Sequence, residues 1–156
     1  MRHLNSLFSS LLIGVLCTAS AHASTVTVVI SGLGGNAEYD EQFDQYATTI
    51  ADEARRVADS PQDVILVRGD AAKKGVILSL LENLPVNSNA DVFTMYLIGH
   101  GSIDNKQYKF NIPGPDITGA EIAEALTNIK APQQLVVVST SSSGCLLYTS
   151  PSPRDS

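Results

Sequence analysis

The sequence predicts an α/β fold built on a parallel sheet covered on both faces, and three observations carry the prediction. Four apolar runs, at 25–30, 64–67, 92–98 and 135–138, contain no charged residue, as strands buried on both faces require. Between them, apolar residues recur at three- and four-residue steps, the period of an amphipathic helix. Strand and helix alternate within 156 residues that are 44% hydrophobic, a composition and length suited to one domain.

In order, Thr25 to Ile30 is β-branched and bounded by the glycine-rich turn 31–36, which makes it a buried strand. Phe43, Tyr46, Ala47, Ile50, Ala51, Ala54, Val57 and Ala58 then line one face of a helix of about four to five turns that starts near Phe43. Val64 to Val67 is the second strand. Val76, Ile77, Leu80, Leu81 and Leu84 form a second helix face, ended by Pro85 and the polar cluster 87–90. Val92 to Ile98 is the third strand. Tyr108 to Ile112 alternates apolar and polar residues, the pattern of a short edge strand or hairpin arm, and Pro113, Gly114 and Pro115 close it. Thr118 and Glu121 form a capping box for a helix whose inner face is Ile122, Leu126 and Ile129. Leu135 to Val138 is the fourth core strand.

Both ends of the chain read differently from this core. Arg2 and His3 precede an apolar run at 7–16, and Ala21 and Ala23 supply the small residues of a cleavage site, so residues 1–23 are expected to be a secretory signal. The run is shorter than the roughly 20 residues of a membrane span, and Leu16 precedes Cys17 where a lipoprotein signal wants Gly or Ala. No retained membrane anchor is expected, and the location is periplasmic or secreted. Residues 145–156 lack periodicity and resemble the translation of a sequencing adapter. The domain is therefore expected at 24–144, incomplete at its end. Those residues hold no cysteine, which excludes disulfides, thiolate metal sites and a cysteine nucleophile. A net charge of −6 argues against a phosphate-backbone ligand, so nucleic acid is not an expected partner. No metal or cofactor is expected.

In a parallel sheet, function belongs at the carboxyl ends of the strands. His100 follows the third strand between Gly99 and Gly101, which aims an imidazole at the rim and leaves the Gly101 N–H approachable. Ser141 stands three residues past the fourth strand, where a nucleophile would face His100. A turn histidine and a self-capping serine loop account for the same residues. Gly32, Gly34 and Ala37 fit a loose dinucleotide pattern, but the helix period begins late and the nearest acid after the second strand, Asp70, is too distant. Arg68, Gly69 and Asp70 spell an adhesion tripeptide too short to argue from. A G-x-S-x-G elbow is absent, and the histidine precedes the serine, opposite to the order in α/β-hydrolases.

Four ordered segments resemble the legumain-type branch of the caspase-like peptidases. Ser31 to Asp44 resembles that family's A-G…N-Y-R-H-Q-A-D segment, and Arg68 to Ala71 with Lys74 and Gly75 resembles its R-G-D-A…K-G segment. Val92 to Ser102 resembles V-F-I-Y-F-T-D-H-G-S, and Val136 to Gly144 resembles the strand that ends in E-A-C-E-S-G. The resemblance implies a caspase-like three-layer α/β/α fold with a mostly parallel sheet, truncated after its fourth core strand, and peptide-bond hydrolysis on a peptide or protein substrate. It puts the catalytic histidine on His100, with the Gly101 N–H beside it. The nucleophile position falls on Ser141, the histidine-orienting asparagine on Glu38, and the cationic pocket pair on Asp40 and Glu41, with Ser102 also at the substrate side. Gly99 replaces an aspartate. Serine needs a base in hydrogen-bond contact to lose its proton, whereas a thiol with a reference pKa of about 8.5 does not. In the family layout, histidine and nucleophile stand apart. Two expectations follow: a Ser141–His100–Glu38 arrangement with triad logic, or a pseudopeptidase that kept the crevice and binds peptides. Acids in place of the cationic pair imply a preference for lysine or arginine side chains; both acids also suit a helix N-terminus.

Overall fold

A computed structural model describes residues 23–84 and 90–142. Residues 1–22 of the expected signal at 1–23, Pro85 and residues 87–89 of the polar cluster at 87–90, the last two residues of the expected domain at 24–144 and the tail at 145–156 lie outside the described residues. The elements in chain order are β1 (Thr25–Ser31), α1 (Ala37–Val57), β2 (Val64–Val67), α2 (Lys74–Glu82), β3 (Val92–Gly99), β4 (Gly101–Asp104), β5 (Gln107–Phe110), β6 (Ile117–Thr118), α3 (Gly119–Thr127) and β7 (Gln133–Thr140). The main sheet runs β2-β1-β3-β7 with every pair parallel, so the fold is α/β as expected. Ser31 pairs with Ile98, and Gly99 pairs with Thr140. The turn after β1, His100 after β3 and Ser141 after β7 therefore leave the sheet along one edge.

Side-chain alternation distributes the strands between two cores. Val26, Val28 and Ile30 of β1 and Phe93, Met95 and Leu97 of β3 pack with Ile77 and Leu81 of α2 and Ile122 and Ala125 of α3. Val29 and Ile98 face the other way, onto Ala47 and Ala51 of α1. Helices on both faces make three layers, and each fully buried aliphatic or phenylalanine side chain contributes about 1.5–3 kcal/mol.

α1 begins at Ala37, earlier than the apolar period near Phe43 suggests. The Asn36 side chain accepts from the Tyr39 N–H, and Glu38 and Asp40 sit in the first turn. A polar cap with acids near the N-terminal dipole starts a helix before its apolar face begins. Tyr46 and Val57, expected on that face, are 52% and 77% exposed. The buried stripe is narrower than the periodicity indicates.

The segment Gly101–Asp104, for which the sequence suggests no element, is a strand. β4, β5 and β6 form a small antiparallel sheet, turned at Asn105 (φ 48) and Lys106 (φ 66), the paired left-handed conformations of a tight hairpin. The expected hairpin arm is β5, and its apolar residues Tyr108 and Phe110 are buried completely. The capping box of α3 is formed as expected. Thr118 N–H donates to Glu121 Oε2 at 2.8 Å, and Glu121 N–H donates to Thr118 Oγ1 at 3.2 Å. The Thr118 N–H holds the Glu121 carboxyl below its ordinary range against partial desolvation, and Lys74 Nζ, 2.9 and 3.0 Å from the two carboxylate oxygens, adds to that effect.

Candidate functional site

The rim is assembled by backbone before any side chain acts. Gly32 N–H donates to Ile98 C=O at 2.8 Å, and Leu33 N–H donates to Asn111 C=O at 2.9 Å. His100 N–H donates to Leu33 C=O at 3.4 Å, and His100 C=O accepts from Asn111 N–H at 3.0 Å. Gly32 has to be glycine, because a Cβ there would stand 2.6 Å from Asn111 O and 2.7 Å from Phe110 Cζ. The histidine peptide is thus pinned on both sides by neighbouring loops. Its ring meets Tyr39 and Phe43 edge-on, with centroids 5.6 and 5.2 Å away, a geometry that aromatic quadrupoles favour.

The structure brings His100, Gly101 and Ser141 together. Ser141 Oγ lies 3.4 Å from His100 Nδ1. The same oxygen accepts from Gly101 N–H at 3.0 Å and lies 3.0 Å from Gly101 C=O, to which it can donate. A serine hydroxyl has one proton. The shorter distance puts that proton on the carbonyl in this state, and transfer to His100 requires a rotation about the Cβ–Oγ bond.

Glu38 does not join them. It is exposed, and among the described residues no hydrogen bond links it to His100. On a helix each residue turns about 100° from the last, so the face holding Tyr39 and Phe43 against the imidazole carries Glu38 away from it. The rings of Tyr39 and Phe43, rather than a carboxylate from this turn of the helix, pack against the imidazole.

Asp40 turns back into its own loop, where its Oδ1 accepts from Gly34 N–H at 2.6 Å. That bond occupies the Gly34 N–H with the chain's own carboxylate. Asp40 lines a crevice of about 340 Å³ at the end of β1, shared with Ser31, Leu33, Asp44, Asp70 and Pro113. His100 does not line it. Glu41 points elsewhere: it accepts from Gln45 Nε2 at 3.3 Å and borders a surface groove with Thr48 and Arg68. Ser102 sits half-buried on β4 opposite Lys109. Sequence reasoning missed Tyr39, Phe43 and Asn111 as rim residues. The spacing of Tyr39 and Phe43, one helical turn apart, was the available signal.

No helix among the described residues is long and apolar enough to cross a membrane, and no group of three or more His, Asp, Glu or Cys among them is arranged to hold a metal ion. Comparison with protein-family models and with curated proteins finds no match for this chain.

Proposed function

We propose that this chain is an exported hydrolase of the caspase-like, legumain-type peptidase lineage, acting on peptide bonds with His100 as base and Ser141 as nucleophile. One observation carries the reading: a single oxygen, Ser141 Oγ, lies 3.4 Å from His100 Nδ1 and 3.0 Å from the Gly101 N–H. In the reaction, Ser141 Oγ attacks the scissile carbonyl carbon while its proton passes to Nδ1. The Gly101 N–H, released by the serine, donates to the developing oxyanion. His100 then returns the proton to the leaving amine, and water hydrolyses the acyl-serine by the reverse use of the same base. Asp40 and Asp70 at the neighbouring crevice, with Asp44 partly offset by Arg68 at 3.9 Å, favour a substrate with a lysine or arginine side chain there; Glu41 takes no part.

The second reading is a pseudopeptidase that binds peptides without cutting them. It is favoured by the Ser141 hydroxyl resting on the Gly101 carbonyl and by the exposure of Glu38. Incubation of wild type, Ser141→Ala and Ser141→Cys with a library of peptides rich in basic residues separates the two. Cleavage by wild type that disappears in Ser141→Ala establishes the serine hydrolase. Cleavage seen solely with Ser141→Cys overturns it in favour of the binding protein.

A further inference from the structure

Tyr108 is the largest fully buried side chain among the described residues, and it carries a hydroxyl into the core. A buried hydroxyl needs a partner. Here the partner is Thr140 Oγ1, at 2.7 Å. Thr140 ends β7, immediately before Ser141, so the contact ties the small sheet to the departure point of the serine. Burial raises the phenol above its ordinary pKa, with the Thr140 contact opposing that rise, and the group stays a neutral hydroxyl.

Gly101 closes the circuit. A Cβ there would meet Ser141 O at 2.4 Å, Tyr108 Cε2 at 2.7 Å and Thr140 Oγ1 at 3.1 Å. Three residues converge on the glycine whose N–H donates to Ser141 Oγ. Directly afterwards Ser142 adopts φ 61, a left-handed conformation uncommon outside glycine. The chain turns at once, which leaves Ser141 little freedom to recover its position if Thr140 moves.

We propose that Tyr108 is the positioning residue of this rim: through Thr140, its hydroxyl sets where Ser141 leaves β7 and hence whether the serine hydroxyl meets the Gly101 N–H and His100. Its catalytic consequence rests on the hydrolase reading, whereas the arrangement itself is measurable without catalysis. The test is amide hydrogen exchange at Gly101 in the full chain, relative to the core amide of Val29, for wild type, Tyr108→Phe, Thr140→Val, their combination, and Thr140→Ser.

Each of the first two variants is expected to raise Gly101 exchange about tenfold relative to Val29, the effect of losing one hydrogen bond. The combination should go no further, because both act through one contact, and Thr140→Ser should behave as wild type. Gly101 exchange that moves in step with Val29, or losses that add, would overturn the proposal. If Tyr108→Phe does not fold, Thr140→Val and Thr140→Ser decide alone. Where wild type cleaves peptides, kcat should fall about tenfold in Tyr108→Phe with KM held, and a change in KM alone counts against positioning. A wild type that cleaves nothing removes the hydrolase reading while Gly101 exchange still decides the positioning.

Discussion

The two strand ends that meet at the rim are built differently. β3 runs through the middle of the sheet, and the histidine after it is fixed by its backbone: Leu33 and Asn111 hold its N–H and C=O, and Gly99, at φ 152, packs against Gly32. Among the described residues β7 pairs on one side, with β3. α1 lies over β1 and β2 and reaches β3, leaving Leu135 of β7 52% exposed. Ser141 is held at the rim by its own hydroxyl and by the Tyr108–Thr140 contact one residue earlier. His100 and Ser141 thus have unequal supports. Changes in packing should damage the His100 end and the fold together, while changes to small polar contacts should uncouple the Ser141 end and leave the fold standing.

The largest effect should come from Phe110→Ala. The ring is fully buried, and its edge lies where a Cβ on either Gly32 or Gly99 would fall, so its removal opens a cavity directly under the His100 turn. A loss of about 4 kcal/mol is expected, read from the urea midpoint at unchanged slope. A loss below about 1 kcal/mol would mean that the site collapses freely and that the histidine end is no better packed than its partner.

Gly101→Ala addresses the other end. Its new methyl would fall 2.4 Å from Ser141 O and 2.7 Å from Tyr108 Cε2, so the Ser141 backbone has to shift to admit it. A cost of about 2 kcal/mol is expected, smaller than for Phe110→Ala, with peptide cleavage abolished. Cleavage that survives would separate Ser141 from the chemistry.

Much of this architecture was legible because it rests on period and composition. Four charge-free runs could be buried strands only if helices covered them, and Thr118 with Glu121 announced a helix start at which both bonds of the capping box form. What was not legible depends on rotation and on partners distant in sequence. The start of α1 is marked by the polar Asn36 rather than by an apolar period. β4 is four residues long and mixed in character, and it exists because β5 lies opposite. His100 and Ser141 could be placed on one edge because parallel strands end on the same side, whereas the contact between Tyr108 and Thr140 depends on how the small sheet lies against β7.

Glu121→Gln acts beneath both ends. Its carboxylate ties Thr118 at the junction of β6 and α3 to Lys74 at the start of α2, and β6 in turn pairs with β5, which carries Tyr108 and leads to Asn111. A cost of about 0.5 kcal/mol is expected, from the charge lost opposite Lys74, since a glutamine oxygen still accepts from the Thr118 N–H in a capping box. Because the folded-state pKa is depressed, the stabilisation is complete above the ordinary carboxylate range and is lost as pH falls through the lower folded value. Wild type should therefore lose stability on acidification more steeply than Glu121→Gln. Exchange at His100 N–H and Gly101 N–H should rise equally, since the junction serves both ends; a rise confined to one of them would show that the two supports do not share a base.

Glu38→Gln should do least. If a carboxylate were needed to orient His100, this substitution would lower cleavage by orders of magnitude, as removal of the acid does in a working triad. Glu38 instead stands exposed on the first turn of α1, where the charge contributes about 0.3–1 kcal/mol through the helix dipole. The expectation is a change in cleavage of less than about twofold and a stability loss at the low end of that range. Phe43→Ala is the matched control, because its ring packs edge-on against the imidazole at 5.2 Å. It should impair His100 function more than Glu38→Gln does, through an aromatic contact that contributes about 0.5–1.5 kcal/mol beyond burial. The reverse order would mean that Glu38 swings onto the ring during turnover, and the histidine end would then owe its geometry to charge rather than to packing.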